Sequence, residues 1–320
     1  MESPVDSEVA PVAVPSESEV AGDAGEAPAE EDDAADTEET EIVAVDLATV
    51  TLCVAGRLAA LDRAEMVSSG RDLATISGRA LHAAARDVCA GLWVAGSPAQ
   101  PLGWAMLTDH EGRGVVLHGD VAHHQRQHGI GGLLLAQALE QARLDGRDEV
   151  LATTWAGSDS ERFLRRHGFI DTDRPARAVR RLELVASAER RRRLIEDVQI
   201  HAADYQLVRV AEDLAEGGTV YRVNAHHEAG MEAGRASLTV ADGAPEYAVH
   251  GDLLVEPGHR GHRLGLLMAS ELLRWIEAER PAVRVAQSQH ALDASYTIAI
   301  MDRLGSRIAG VRVPLRHPLG

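Results

Sequence analysis

Apolar and polar positions follow two rhythms along this chain, and the rhythm changes wherever turn residues cluster. Short apolar or alternating runs predict strands at EIVAVDL (41–47), AGLWVAG (90–96), PLGWAML (101–107, the return arm of a hairpin), RGVVLHGDV (113–121), EVLATTW (149–155) and ARAVRRLELV (176–185). Between them, helical spacing appears over Val54–Ala64, Leu73–Ala90 and SDSERFLRRHG (158–168). It is clearest from Ile130, where Ile130, Leu134, Ala138 and Ala142 repeat at i, i+4 with Leu135 and Leu139 alongside, and Gln137, Gln141 and Arg143 fall on other faces. SAERRRRLIEDVQ (187–199) predicts a connecting helix whose arginines 190–193 face solvent. Four more strands follow, at DYQLVRV, GTVYRVN, ASLTVAD and EYAVHGDLLV, then a strand VRVAQSQ and a helix ALDASYTIAIMDRLGS.

The pattern divides the chain into an acidic tail over 1–40, a first α/β unit over 41–186, a linker helix over 187–200 and a second, shorter unit over 201–320. The tail is Ala, Glu, Asp, Pro and Ser with few large apolar residues, so it is expected to be disordered. It also holds 14 of the 50 acidic residues and no arginine, leaving 36 acids against 32 basic residues elsewhere. The net charge of -18 therefore describes the tail more than the folded part, and no basic face points to nucleic acid. The sequence contains no lysine, which excludes Schiff-base chemistry and a Walker loop. Cys53 and Cys89 are expected to be reduced thiols, and the paired histidines 123–124 and 226–227 lack the carboxylate or cysteine framework of a metal site. No run of about 18–20 apolar residues predicts a membrane span, so a cytoplasmic protein is expected.

The loop before the clearest helix reads Arg126-Gln127-His128-Gly129-Ile130-Gly131-Gly132, and a counterpart, Arg260-Gly261-His262-Arg263-Leu264-Gly265, lies in the same strand-loop-helix setting. An internal duplication explains the pair. Glycines that bring backbone amides close, placed at a helix N-terminus, suit a phosphate group. The dinucleotide fingerprint fails because Leu134 stands where its third glycine belongs.

Arg126-x-x-Gly129-x-Gly131, with Val121 on the preceding strand, resembles the acyl-CoA-binding signature of the GNAT acetyltransferases, and the two copies resemble the tandem GNAT proteins related in layout to mycothiol synthase. The resemblance implies two GNAT folds, each a mixed, splayed sheet flanked by helices, the second shortened because only about 55 residues separate Tyr205 from Arg260 against roughly 85 from Glu41 to Arg126. It implies acetyl-CoA as co-substrate and no metal. The pantetheine arm would run along Gly119–Val121 and along Leu253–Val255, and the pyrophosphate would sit on Gln127–Gly132 and on Gly261–Gly265.

The family's acid is often a tyrosine four residues before a terminal Gly-Phe turn, where this chain has Leu164 and Met301. Tyr296 lies five residues, more than a full turn, upstream of the second position. For a base, His118 and Asp120 share one strand face by the period-two rule, and His250 and Asp252 repeat the types in the second unit. Two readings follow. One is an N-acyltransferase acting on a primary amine of a small molecule, as a monomer or homodimer; the other is a catalytically silent tandem module that binds CoA or a protein partner.

Overall fold

The computed structural model describes residues 40–320 apart from 69–70, 72, 76–77, 113, 216 and 228–229. The expected tail, to residue 39, lies outside them. In chain order the elements are β1 (Ile42–Ala44), α1 (Leu52–Ser68), α2 (Gly78–Asp87), β2 (Cys89–Ser97), β3 (Gln100–Asp109), β4 (Gly114–Val121), α3 (Ile130–Leu144), β5 (Glu149–Trp155), α4 (Asp159–Arg166), β6 (Ile170–Asp171) and β7 (Arg177–Glu183). There follow α5 (Leu184–Gln199), β8 (Tyr205–Asp213), β9 (Thr219–His227), β10 (Glu232–Val240), β11 (Tyr247–Val255), α6 (Leu264–Glu279), β12 (Val285–Ala291), α7 (Ser295–Leu304) and β13 (Arg307–Pro318).

Alternation along the strands decides what each face of the sheet covers. Trp93, Ala95, Ala105, Leu107 and Val115 turn to one side and bury the apolar stripe of α3. Leu92, Val94, Trp104 and Met106 turn to the other and pack under α1 and α2. In the second half, Val223, Ala225, Ala236, Leu238 and Ala248 bury the long apolar face of α6. Strands β8 to β11 follow one another with no helix between them, so among the described residues no helix equivalent to α1 and α2 covers the far side, where Val208, Val210, Val249 and Leu254 are exposed. That is the shortening expected from the compressed spacing.

All strands join one sheet in the order β1-β2-β3-β4-β5-β13-β7-β12-β11-β10-β9-β8, with β6 beside β13. The centre of this order corrects the division drawn from the sequence. The last strand of the chain, β13, lies between β5 and β7 of the first half, pairing Arg312 with Trp155 on one side and Val311 with Ala178 on the other. Conversely β7 pairs with β12 of the second half throughout Arg177–Glu183. Leu315 is fully buried in the first half's core, and Phe169 meets the His317 ring edge-on at 5.2 Å. A cut at residue 186 therefore crosses a continuous sheet, and each half is completed by a strand from the other.

Smaller differences have local causes. Only Ile42–Ala44 of the first apolar run pairs as strand, because Asp46 caps a 3₁₀ turn through the Ala48 amide at 3.0 Å. The helix expected from Leu73 to Ala90 begins at Gly78: Leu73 drops between Met66 and Val179 on the sheet, and the Ala74 amide donates to Gln287 at 2.8 Å. At the other end Cys89 already pairs with Thr108. The connecting helix starts at Leu184, and Arg191 is buried within it.

Candidate active site

In each half a parallel strand pair comes apart. β4 and β5 pair only from Gly114–Glu149 to Leu117–Ala152. Beyond that, β4 stays in register with β3 as far as Val121 while β5 follows β13, so residues 118–121 face a gap. In the second half β11 and β12 pair only over Tyr247–Val249. There β11 bulges against β10, because Ala236 faces Leu253 but Leu238 faces His250.

A loop with matching backbone stands at the end of each opened strand. Gln127 and Gly129 have φ of 68° and 83°, and their counterparts Gly261 and Arg263 have 88° and 56°. The arginine opening each loop clamps it to the strand end: Arg126 Nε donates to the Val121 carbonyl and Arg260 Nε to the Val255 carbonyl, both at 3.1 Å. No side chain caps α3 or α6. Among the described residues no acceptor meets the amides of residues 127–132. A side chain added at Gly129 or Gly261 would meet nothing within 4 Å. Uncapped amides, the positive helix end and open space fit a diphosphate, and an opened strand edge fits an extended amide-bearing arm. The residues present therefore suit acyl-CoA. Arg263 keeps the left-handed turn without being glycine, at a cost of about 1–2 kcal/mol.

On the face of the first gap covered by α1, four charged groups converge. Asp120 Oδ1 accepts from the Val121 amide at 2.8 Å and from Arg126 at 3.1 Å, and the same guanidinium reaches Glu65 at 2.7 Å. Arg126 is thus satisfied within the protein. Burial pushes the Asp120 carboxyl up to about 6, Arg126 and the Val121 amide oppose the rise, and Glu65 and Asp62 add to it. His118 Nε2 lies 3.0 Å from Thr108 Oγ1, and its pKa is held below the ordinary histidine value by burial and then by the positive charge of Arg312. His118 is therefore neutral at neutral pH. Arg312 comes from β13, stands 5.5 Å over the Trp155 ring and donates to the Thr153 carbonyl at 3.4 Å.

The second half lacks this arrangement. Asp252, expected beside His250 on one strand face, is exposed and ion-paired with Arg235 at 3.0 Å, because the bulge takes it out of the alternation. His250 is half-buried, and desolvation, followed by the charge of His290, lowers its pKa to about 4. His290 has both ring nitrogens buried without a partner. The Tyr296 hydroxyl would lie 3.2 Å from a side chain built on Gly265, so it rests on the helix start. Leu164 and Met301 point into the two cores.

The linker arginines are not one solvated face. Arg192 is solvated and paired with Glu189, but Arg191 is buried against Glu277 at 2.6 Å. Arg190 and Arg193 line an open cleft of about 620 Å³ with Arg263 and Arg303, next to the start of α6. Among the described residues no cluster of His, Cys, Asp and Glu could hold a metal. None of their helices is long and apolar enough to cross a membrane. Sequence reading missed Glu65, Trp155, His290 and Arg312, which carry no motif and are assembled from distant elements.

No protein-family model and no curated protein matches the sequence. Solved structures do. A tandem GNAT protein from the clavulanic acid biosynthesis pathway superposes with a TM-score of 0.73 at 23% identity, covering 88% of this chain and 99% of that one. A GCN5-related N-acetyltransferase from Sphaerobacter thermophilus superposes at 0.57 with 15% identity, over 87% and 96% of the two chains. A GCN5-related glucosamine N-acetyltransferase region of a fungal multi-domain GH3 beta-N-acetylglucosaminidase gives 0.55 at 12% identity, over 87% and 38%. The chain therefore has the tandem GNAT fold.

Proposed function

We propose that this protein is an acyl-CoA-dependent N-acyltransferase that acylates a primary amine of a small molecule, with the chemistry in the first half. One observation carries the reading: the strand gap, the uncapped glycine-opened helix start and a pair of tunable proton acceptors, His118 and Asp120, coincide in one place. Acyl-CoA bound there would supply the activated acyl carbonyl and a thiolate leaving group. The amides of 127–132 would hold its diphosphate, and the freed edge of Gly119–Val121 its arm.

The protein's own part is proton traffic. An amine attacks only when deprotonated, and His118, neutral at neutral pH, accepts a proton directly or through a water. Asp120 ionises near pH 6, so it accepts a second proton across the physiological range. With Leu164 buried in the core, the departing thiolate takes its proton from solvent or from the imidazolium formed at His118. The second half keeps the loop but not the α1-side groups, and we assign it a binding or architectural part.

Thiol release with acetyl-CoA and a panel of amines tests the reading, together with calorimetric titration of CoA. Gly129→Val should weaken CoA binding at least about tenfold by closing the backbone to the diphosphate. His118→Asn should lower kcat by about 10²-fold or more with little change in CoA affinity. Unchanged CoA affinity in Gly129→Val, or no amine-dependent thiol release at all, would refute the proposal.

A further inference from the structure

We infer that the acceptor is an amino acid or a zwitterionic amine of similar size, its carboxylate held by Arg312 and its ammonium by the acidic cluster of Asp62, Glu65 and Asp120. This rests on the transferase reading above and goes beyond it by naming the substrate class.

Most of the described arginines that are buried or half-buried in this chain are ion-paired. Arg180 is bonded to Asp302, Arg181 lies 2.6 Å from Glu183, and Arg191 lies 2.6 Å from Glu277. Arg312 breaks the rule. Its Nε is buried without a partner, as are those of Arg181 and Arg191, but unlike them it has no carboxylate of the described residues within ion-pairing distance, and its one hydrogen bond is the long contact to Thr153. Arg312 as a whole is half-buried, and a cation partly withdrawn from water without an ion-pair partner adds little to the fold, so a structural role would be served as well by an apolar residue of the same volume. Arg312 lies opposite Trp155, three residues beyond the last β5 position that pairs with β4, so it stands at the opened end of β5, where it acts electrostatically on His118 and Asp62 acts on it in turn. Arg71 stacks on the same Trp155 ring at 4.8 Å, so two guanidiniums flank one indole at this end of the site.

The opposite charge gathers on α1 and the end of β4, with Asp62 the member that acts electrostatically on Arg312. Asp62 and Glu65 stand one turn apart on α1 and both act on Asp120, with Arg126 as the cation that Glu65 and Asp120 share. A ligand carrying one positive and one negative group separated by a few bonds matches both ends. An ammonium drawn to Asp120 would also stand beside the two groups able to take its proton. Arg312 reaches the site only because β13 crosses into the first half, so the far end of the chain selects the first half's substrate.

The test is a matched set of acceptors in the thiol-release assay: 4-aminobutyrate against n-butylamine, β-alanine against n-propylamine, and glycine against its amide. In the wild type the carboxylate-bearing member should be preferred by about 10- to 100-fold in kcat/KM, the effect of one charge-assisted hydrogen-bonded pair. Arg312→Met should reduce that ratio to within about threefold, chiefly through KM, and Arg312→Lys should restore part of it. The melting temperature of Arg312→Met should be equal to or above that of the wild type, since a half-buried charge with no ion-pair partner is removed. A wild-type preference for the uncharged amines, or a ratio that survives Arg312→Met, overturns the inference while leaving the transferase reading intact. If no amine is acylated, that reading fails, and calorimetric binding of 4-aminobutyrate against n-butylamine to the CoA-loaded protein still decides charge selection. Equal binding of the two would overturn the inference as well.

Discussion

Replacing Leu315 by alanine should damage the first half of this protein, although the residue lies only five positions before Gly320. Leu315 is fully buried in the core that contains Ile130, Leu134, Val150 and Phe169, and it pairs with Ala152 of β5. Deleting three buried carbons costs about 2 kcal/mol in transfer free energy, and the cavity left behind raises the total to about 3 kcal/mol. A folded unit of roughly 280 residues has an unfolding entropy near 0.6 kcal/mol/K, so a single cooperative transition should move down by about 5 °C. Calorimetry gives that shift, and amide hydrogen exchange locates it: protection should fall on β5 and β3 while α6 and β10 keep theirs. The strand exchange predicts further that a chain ending at Ser306 loses the first half's cooperative fold. A melting shift below about 1 °C for Leu315→Ala, or a truncated chain whose first half stays protected, would refute the exchange.

Asp120 and the sheet glycines give two further expectations. The folded pKa of Asp120, about 6 against 3.8, lies above its unfolded value, so its favourable contribution is complete below about pH 4 and is lost as pH rises through 6. The stability difference between Asp120→Asn and wild type should therefore swing by up to about 3 kcal/mol in the variant's favour between pH 4 and pH 8, and chemical denaturation showing no swing would refute the burial argument. Gly119→Ala should unfold far more readily than Gly129→Ala: at 119 the new carbon would lie 2.4 Å from the Trp104 carbonyl, whereas at 129 it meets open space and costs only the left-handed strain of about 1–2 kcal/mol. Equal melting temperatures for the two variants would show that strand geometry at Gly119 is not constrained as described.

Local pattern alone determined a good deal. Alternation and i, i+4 spacing placed β2 to β5, α3 and β8 to β12, because those periods follow from where side chains must point to reach a core. The duplicated loop was visible because its residue pattern encodes backbone shape. Arg, branched residue and Gly recur at fixed offsets, and even Arg263, a departure in sequence, keeps the turn its counterpart Gly129 makes. His118 and Asp120 were legible as one strand face for the same period-two reason.

Tertiary structure alone decided the rest. Pro314 and Pro318 mark the final segment as a poor strand, since proline offers no ladder donor, yet β13 is held from both sides by β5 and β7 and supplies Arg312. Asp252 looked like Asp120 until a single-residue bulge turned it to solvent beside Arg235. The linker's four consecutive arginines, alike in sequence, separate into a buried ion pair, a solvated face and two walls of a cleft. Strand partners, bulges and burial depend on contacts between residues distant along the chain. A one-dimensional period carries no record of which partner meets which, and that choice sets the charge of the candidate acceptor site.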